Sequence, residues 1–182
     1  MGYQQMLAEL QAQGKPARVG IIGTGKFGTM YVSQVRKVIG CHLVAICELD
    51  PARAYWALET TKWPKEQYSA KTMEEAYRTG KTTVITSRDE LLESPYVDII
   101  IDCTGNAELG VDTCLKAFAH GKSVVNVNVE CDILAGAVLA EEAKKAGVVY
   151  SMAWGDQPAE IVDMVDWART AGFEVVCAGK GT

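Results

Sequence analysis

The 182-residue sequence predicts an α/β fold, a doubly wound and mainly parallel sheet with helices on both faces. Short apolar runs rich in Val and Ile alternate with segments of helical periodicity along nearly the whole chain. The almost wholly apolar run at 97–101 is typical of a strand at the centre of a parallel sheet, where both faces are covered. Strands and helices that alternate at this spacing indicate right-handed βαβ units, which build such a sheet.

The elements follow in order along the chain. A first strand is predicted at 19–22, and then a helix at 27–39 whose inward residues are Met30, Val32, Val35 and Val38. After a second strand at 43–47, Asp50 precedes a proline and caps a helix that continues through Leu58. Further strands are predicted at 82–86, 97–101, 123–127, 148–151 and 174–178, and further helices at 69–78, 87–92, 106–120, 132–145 and 158–170.

The polar N-terminal segment carries Met6, Leu7 and Leu10 at helical spacing. This spacing predicts a short amphipathic helix within residues 1–16. We expect that helix to pack on a single domain that spans 17–182, a length that suits one hydrophobic core.

Composition excludes several classes of partner. A net charge of −5 leaves no broad basic face, which argues against nucleic acid or an anionic membrane surface as a partner. The chain has no apolar run of about 18 residues, and its start lacks the basic-then-apolar order of a signal peptide. A cytoplasmic protein is therefore expected.

The cysteine pattern indicates reduced thiols rather than a metal centre. The six cysteines form no C-x-x-C pair, and only two histidines are present to complete a zinc site. Glu160, Asp163 and Asp166 recur every third residue, but this spacing is typical of a solvated helical face. No metal site is predicted.

A glycine-rich turn follows the first strand and carries the strongest functional signal. It reads Gly23-Thr24-Gly25-Lys26-Phe27-Gly28, and Glu48 lies 20 residues beyond its last glycine, after the second strand. The first glycine permits a tight turn, the second lets the backbone approach a pyrophosphate, and the third lets the helix pack closely on the strand. The new helix also presents free N–H groups to an anion. With its strand, helix and acid, the turn predicts a dinucleotide site in a Rossmann-type fold.

The acid after the second strand bears on the choice of cofactor. Glu48 is placed to accept hydrogen bonds from both hydroxyls of an adenosine ribose, and its charge would repel a 2′-phosphate. No arginine directly follows it. This arrangement favours NAD over NADP, although a solvated loop acid is an alternative interpretation.

The turns after the later strands provide the remaining candidates. Cys103, Thr104 and Gly105 follow the strand at 97–101 and would lie near the nicotinamide side of a dinucleotide, unless they form a purely structural turn. Asn128 is suited equally to a cofactor amide and to an internal hydrogen-bonding role. Glu130 is a weak candidate for an acid or base and could instead favour the start of a helix.

Asp156 is the second weak catalytic candidate. It lies beside the start of the helix predicted at 158–170, where a capping role is the more natural interpretation.

Several of these motifs resemble one family of oxidoreductases. The segments are Ile101-Asp102-Cys103-Thr104-Gly105, Asn126-Val127-Asn128-Val129-Glu130, Gly155-Asp156-Gln157-Pro158 and Ala178-Gly179-Lys180-Gly181-Thr182. Together with the glycine turn they resemble the N-terminal domain of homoserine dehydrogenase-like NAD(P)-dependent oxidoreductases. The likeness is to the branch that usually carries a SAF domain and includes deoxyxylulose-phosphate reductoisomerase-like proteins.

The resemblance implies an NAD(P)-binding first domain, with the substrate site and dimer contacts supplied by later segments. Glu130 stands near the position at which homoserine dehydrogenases carry a catalytic lysine. Because the family's catalytic region follows the segment at 179–182, we expect that region to be missing or supplied elsewhere, and a small-molecule substrate to bind only with it. The chain alone would then bind a nucleotide and catalyse little, and the family's dimer contacts make a homo-oligomer one expected state. A non-catalytic NAD-binding or redox-sensing module is the alternative.

Overall fold

The computed structural model describes residues 2–155 and 157–179, and for 157–159 it describes the backbone. Its centre is a six-stranded sheet in the order β3-β2-β1-β4-β5-β6, in which every neighbouring pair is parallel. This order confirms the predicted doubly wound α/β fold, because the chain starts at the middle and winds first to one edge and then to the other. The strands are β1 Ala17–Ile22, β2 Cys41–Cys47, β3 Thr83–Ile85, β4 Ile99–Asp102, β5 Ser123–Asn126 and β6 Tyr150–Met152.

Helices connect the strands, and polar side chains cap several of them. Asp50 accepts a hydrogen bond from the Ala52 N–H at 3.0 Å, which confirms its predicted cap. Thr72 and Ser87 cap the fourth and fifth helices in the same way. The helices are α1 Tyr3–Ala12, α2 Lys26–Val35, α3 Pro51–Thr60, α4 Met73–Thr79, α5 Arg88–Glu93, α6 Ala107–Ala119, α7 Val129–Ala146 and α8 Gln157–Thr170, with a 3₁₀ turn at Lys65–Tyr68.

The hydrophobic core lies on both faces of the sheet. On one face, side chains from β2, β4 and β5 pack with α5, α6 and α7, including Val44, Leu91, Ile100, Val124 and Leu139. On the other, β1, β2 and β4 pack with α2 and α3, including Ile21, Val32, Ile46, Leu58 and Ile101. The central strands thus bury side chains on both faces, as a sheet covered by helices requires.

Helix α2 differs from its prediction in length and orientation. It ends at Val35, where Val38 N–H donates to the Val35 carbonyl and begins a turn. Val32 and Val35 are buried with Gly28, but Met30 is 56% exposed and Val38 is 41% exposed. The predicted inward placement of Met30 and Val38 was wrong because an inward face that contains Gly28, Val32 and Val35 leaves position 30 on the opposite side.

The predicted strand at 174–178 is also absent from the part of the chain that the structure describes. Residues 173–179 have no regular secondary structure, and Val176 is 89% exposed. A run of β-branched residues becomes a strand only when a neighbouring strand pairs with it. Helix α4 begins at Met73 rather than at residue 69, and α7 begins at Val129 rather than at residue 132.

Helix α1 lies beside the turn that precedes β2. A Cβ added to Gly40 would lie 2.0 Å from the Leu7 carbonyl oxygen, so only glycine permits this approach. The Gly40 carbonyl also accepts a hydrogen bond from the Ala17 N–H at 2.8 Å, at the start of β1. The division between this helix and a domain that begins at residue 17 stays a prediction.

The six cysteines are free. Cys177 is exposed, and the other five are buried or half-buried. Burial raises the pKa of the Cys47 thiol to about 11 and that of the Cys103 thiol to about 12. Burial also raises the pKa of Cys41, Cys114 and Cys131. In the described residues there is no cluster of metal-ligating side chains and no helix long and apolar enough to cross a bilayer.

These environments predict one reactive thiol per folded chain. At about neutral pH a maleimide should modify Cys177 quickly and the other five thiols slowly, because thiolate formation and access control the rate. Intact-mass measurement over time checks this, with all six thiols reacting in denaturant. A Cys177→Ser variant should lose the fast phase; rapid modification of that folded variant would contradict the burial described above.

Candidate functional site

The candidate site lies at the carboxyl edge of the sheet, where the winding direction reverses between β1 and β4. In open α/β sheets this point forms a crevice outside the strand ends. Here the crevice is a cavity of about 590 Å³. The turns after β1, β2, β3 and β4 line it, through Ile22, Gly23, Gly25, Cys47, Glu48, Leu49, Arg53, Thr86, Ser87, Arg88, Asp89, Cys103, Thr104, Asn106 and Leu109.

The three glycines of the turn after β1 have three different environments. Gly23 has a φ of 91°, and a Cβ there would lie 3.0 Å from the Cys103 carbonyl oxygen. A Cβ at Gly28 would lie 2.1 Å from the Gly23 carbonyl oxygen, which no side chain permits. A Cβ at Gly25 would have no described atom within 4 Å. Two glycines therefore serve internal packing, while the third leaves open space beside the backbone.

Helix α2 begins at the cavity without a capping side chain. Its N-cap is Gly25, which has a φ of −65° and an extended ψ, and its first turn carries Lys26 and Phe27, both exposed. The first amides of a helix lack intrahelical partners and carry a partial positive charge. The helix therefore directs uncapped N–H groups and a lysine towards the open side of the turn, a suitable environment for an anion.

Glu48, at the end of β2, turns back onto the glycine turn. Its Oε2 accepts hydrogen bonds from both the N–H and the hydroxyl of Thr24, each at 2.7 Å. Its Oε1 accepts from the Leu49 N–H at 3.1 Å. Glu48 is 8% exposed and Thr24 is 3% exposed, so the solvated-acid interpretation does not hold. The carboxylate is held at the wall of the cavity.

A second cavity, of about 670 Å³, lies beside Thr24, between the first turns of α2 and α3. Gly25 and Arg53 border both cavities. The second one also contains Lys26, so two exposed cations stand near the glycine turn. It is lined by Thr24, Gly25, Lys26, Thr29, Ala52, Arg53 and Trp56.

A buried network holds the turn after β4. Asp102 is fully buried, and its Oδ1 accepts from the Thr104 N–H at 2.9 Å. Its Oδ2 accepts from Asn128 Nδ2 at 3.1 Å, while that amide also lies 2.8 Å from the Asn106 carbonyl oxygen. Asn128 Oδ1 accepts from the Cys131 N–H at 3.2 Å and so caps α7. Asn128 is only 1% exposed. Of its two predicted roles, the internal hydrogen-bonding role therefore fits this position better than contact with a cofactor amide.

The other predicted residues of this turn differ in position. Cys103 and Thr104 line the first cavity, whereas Gly105 is exposed beyond it with a φ of 64°. Burial, together with the charge of Asp102, raises the pKa of Cys103 and so disfavours a thiolate. Cys103 therefore contributes a neutral surface to the cavity rather than a nucleophile.

Of the two weak catalytic candidates, Glu130 lies apart from the cavity lining. Glu130 is exposed in the first turn of α7, where its negative charge suits the helix N-terminus. Asp156 and the segment 180–182 lie outside the described residues.

Sequence reasoning missed several cavity residues, among them Leu49, Arg53 and Arg88. Arg88 follows β3 and pairs with Asp112, and it also donates to the Thr113 hydroxyl at 3.2 Å. The one sequence signal for Arg88 is its position shortly after the end of a predicted strand, where the cavity lies. Leu49 and Arg53 lie on either side of Asp50, the cap of α3. In this stretch the sequence pattern pointed only to Glu48 and Asp50.

Comparison with known proteins identifies the family. Residues 17–153 match the oxidoreductase family with an NAD-binding Rossmann fold. The chain belongs to that family. Residues 155–182 match a second family, the catalytic domain of the oxidoreductase DRL. No curated protein matches the chain.

Solved structures share the fold at low sequence identity. A homoserine dehydrogenase from Thiobacillus denitrificans superposes with a TM-score of 0.60 at 19% identity, over 76% of this chain and 29% of that one. A biliverdin reductase from Synechocystis, solved with biliverdin and NADP+, gives 0.56 at 18% over 85% and 42%. A scyllo-inositol dehydrogenase from Lactobacillus casei, solved with NAD(H) and scyllo-inositol, gives 0.54 at 17% over 85% and 42%. This chain therefore spans less than half the length of each.

The glycine environments predict opposite effects for two alanine substitutions. Gly25→Ala should leave the thermal midpoint nearly unchanged but weaken NAD binding by about tenfold or more, because its Cβ enters only the open space. Gly28→Ala should lower the free energy of unfolding by more than about 3 kcal/mol, because its Cβ meets backbone. Urea unfolding and calorimetric titration measure the two effects; a stable Gly28→Ala protein would contradict the close approach.

The buried amide predicts a second contrast, between two helix-capping asparagines. Asn128→Ala should lower the free energy of unfolding by about 2–4 kcal/mol, because it removes a cap and leaves the Asp102 carboxylate short of a donor. Asn106→Ala is the control: it removes an exposed cap of α6 and should cost about 1 kcal/mol. Equal losses in urea unfolding would show that the internal network adds nothing beyond capping.

Proposed function

We propose that this chain is the cofactor-binding part of an oxidoreductase that resembles homoserine dehydrogenase, and that it binds NAD(H) in preference to NADP(H). The observation that carries the proposal is the Glu48 carboxylate, buried at the wall of the cavity between the glycine turn and β2. A carboxylate at the end of the second strand is suited to a ribose hydroxyl and opposed to a ribose phosphate.

The residues of the cavity fit a nicotinamide dinucleotide. The open space at Gly25, next to the uncapped start of α2, suits a pyrophosphate. Glu48 suits the adenosine ribose, and Leu49 and Leu109 add apolar surface that suits the adenine. When bound, the nicotinamide ring supplies the hydride chemistry of the reaction. The chain's own contribution is to bind the cofactor and to fix its orientation.

The exposed cations Lys26 and Arg53 raise the question of NADP, since either could attract a 2′-phosphate. The degree of burial decides whether repulsion of the phosphate by Glu48 or its attraction by the cations is the stronger effect. Two unit charges about 4 Å apart interact by about 1 kcal/mol in water but by about 4 kcal/mol at a protein surface of lower effective dielectric. Glu48 is buried, whereas Lys26 and Arg53 are exposed and screened by salt. Repulsion by Glu48 should therefore outweigh their attraction.

Catalysis in this proposal needs the segment after residue 154. The match of 155–182 to an oxidoreductase catalytic domain supports a catalytic role over a purely sensing one. The homoserine dehydrogenase, the scyllo-inositol dehydrogenase and the biliverdin reductase share the fold of this chain but are named for dissimilar substrates. A substrate is therefore selected mainly by residues beyond the cofactor domain. Within the domain, Glu130 stands near the position of the lysine of homoserine dehydrogenases and is one point of difference.

Calorimetric titration with NAD+ and NADP+ tests the preference. The wild-type chain should bind NAD+ at least about tenfold more tightly, and Glu48→Ala should reduce that ratio to near one through loss of a hydrogen bond and of a repulsive charge. Glu130→Gln, which removes an exposed charge outside the cavity lining, is the matched control and should leave the ratio unchanged.

Two results would contradict the proposal. Equal affinities of the wild-type chain for the two cofactors would remove the preference for NAD. Failure of the folded chain to bind either one would remove the cofactor-binding role.

A further inference from the structure

We propose that Thr24 is a positioning residue for cofactor selectivity: its hydroxyl holds the Glu48 carboxylate at the wall of the first cavity, where the carboxylate opposes a 2′-phosphate. This inference rests on the proposed function and names the residue through which Glu48 acts. Thr24 occupies the position between the first two glycines, a place where the glycine motif itself asks for no particular side chain.

The geometry of the pair is that of a fixed carboxylate. Glu48 Oε2 receives two donors from the same residue, the N–H and the hydroxyl of Thr24, both at 2.7 Å. Such short contacts to an ionised group are roughly twice as strong as neutral hydrogen bonds. Thr24 is itself supported, because the Thr29 hydroxyl donates to the Thr24 carbonyl at 3.0 Å. Helix α2 thus restrains the Glu48 side chain through two threonines.

The hydrogen bonds that Glu48 already accepts limit how many ribose hydroxyls it can bind. A carboxylate has about four lone-pair positions, two on each oxygen. Both positions on Oε2 are taken by Thr24, and one on Oε1 is taken by the Leu49 N–H. One position on Oε1 remains. We infer that Glu48 accepts from one ribose hydroxyl rather than from both, as the sequence alone suggested.

The location of Thr24 explains why its hydroxyl should affect selectivity. Thr24 lines the second cavity with Lys26 and Arg53, and Glu48 lines the first. Arg53 borders both cavities, so the held carboxylate shares the first cavity with a cation that would otherwise attract a 2′-phosphate. If the hydroxyl is removed, Glu48 keeps only the backbone donor on Oε2 and gains rotational freedom. It then binds the ribose less well and repels a phosphate less well.

The test compares two replacements of Thr24 in the full chain. Thr24→Val keeps the shape of the side chain and the backbone N–H but removes the hydroxyl, and should lower the ratio of NAD+ to NADP+ affinity by about tenfold. Thr24→Ser keeps the hydroxyl and should retain the wild-type ratio. Calorimetric titration supplies both affinities. A purely structural role for the hydroxyl would weaken both cofactors equally and leave the ratio unchanged, which would overturn the proposal.

A double variant shows whether Thr24 acts through Glu48. In the Glu48→Ala background, Thr24→Val should change the ratio by less than about twofold, because the carboxylate that it positions is gone. A second full reduction there would overturn the proposal. Thermal unfolding verifies that each protein is folded, and Thr24→Ala replaces the valine variant if the latter is not.

The outcomes separate this inference from the function on which it rests. A wild-type chain without preference for NAD+ contradicts the proposed function and, with it, the role of Thr24. A wild-type preference that persists in Thr24→Val contradicts the role of Thr24 alone.

Discussion

The close approach of α2 to the end of β1 is the constraint on which the site depends. A Cβ at Gly28 would lie 2.1 Å from the Gly23 carbonyl oxygen, so the first turn of the helix rests directly on the backbone of the preceding turn. Within that preceding turn, Gly23 packs against the Cys103 carbonyl group, which follows β4. Two glycines thus bring together the ends of β1 and β4, and α2 begins at the switch point of the sheet.

Two strand-end acids stabilise the walls of the resulting crevice in different ways. Asp102 is fully buried, and both its oxygens accept hydrogen bonds, from Thr104 and from Asn128. Glu48 is slightly exposed and has one acceptor position free on Oε1. A buried carboxylate is tolerated only when donors replace its hydration. Asp102, which has no exposed surface, therefore supports the structure, whereas Glu48 lies at the cavity wall, where a ligand can reach it.

The sequence predicted those features of the fold that depend on local chemistry. Asp50 next to a proline identified the start of α3, and the glycine turn identified the link from β1 to α2. The failures arose where tertiary contacts decide. Met30 lies outside because Gly28 sets the inward face of its helix, and residues 174–178 lack a neighbouring strand in the described part of the chain. The Thr24–Glu48 pair spans 24 positions and depends on a side-chain conformation, which periodicity does not reveal.

The energetic position of Glu48 links stability to binding. Moving a carboxylate out of water is costly, and here three donors offset that cost incompletely, because one acceptor position lacks a partner among the described residues. A ribose hydroxyl would supply the missing donor, so binding would recover part of the cost that folding incurs. A phosphate has no proton to offer in that position at neutral pH and adds a like charge. In the proposed function, the incomplete hydrogen bonding of Glu48 therefore adds to the effect of its charge, and any donor that the protein placed on Oε1 would stabilise the fold and weaken the discrimination.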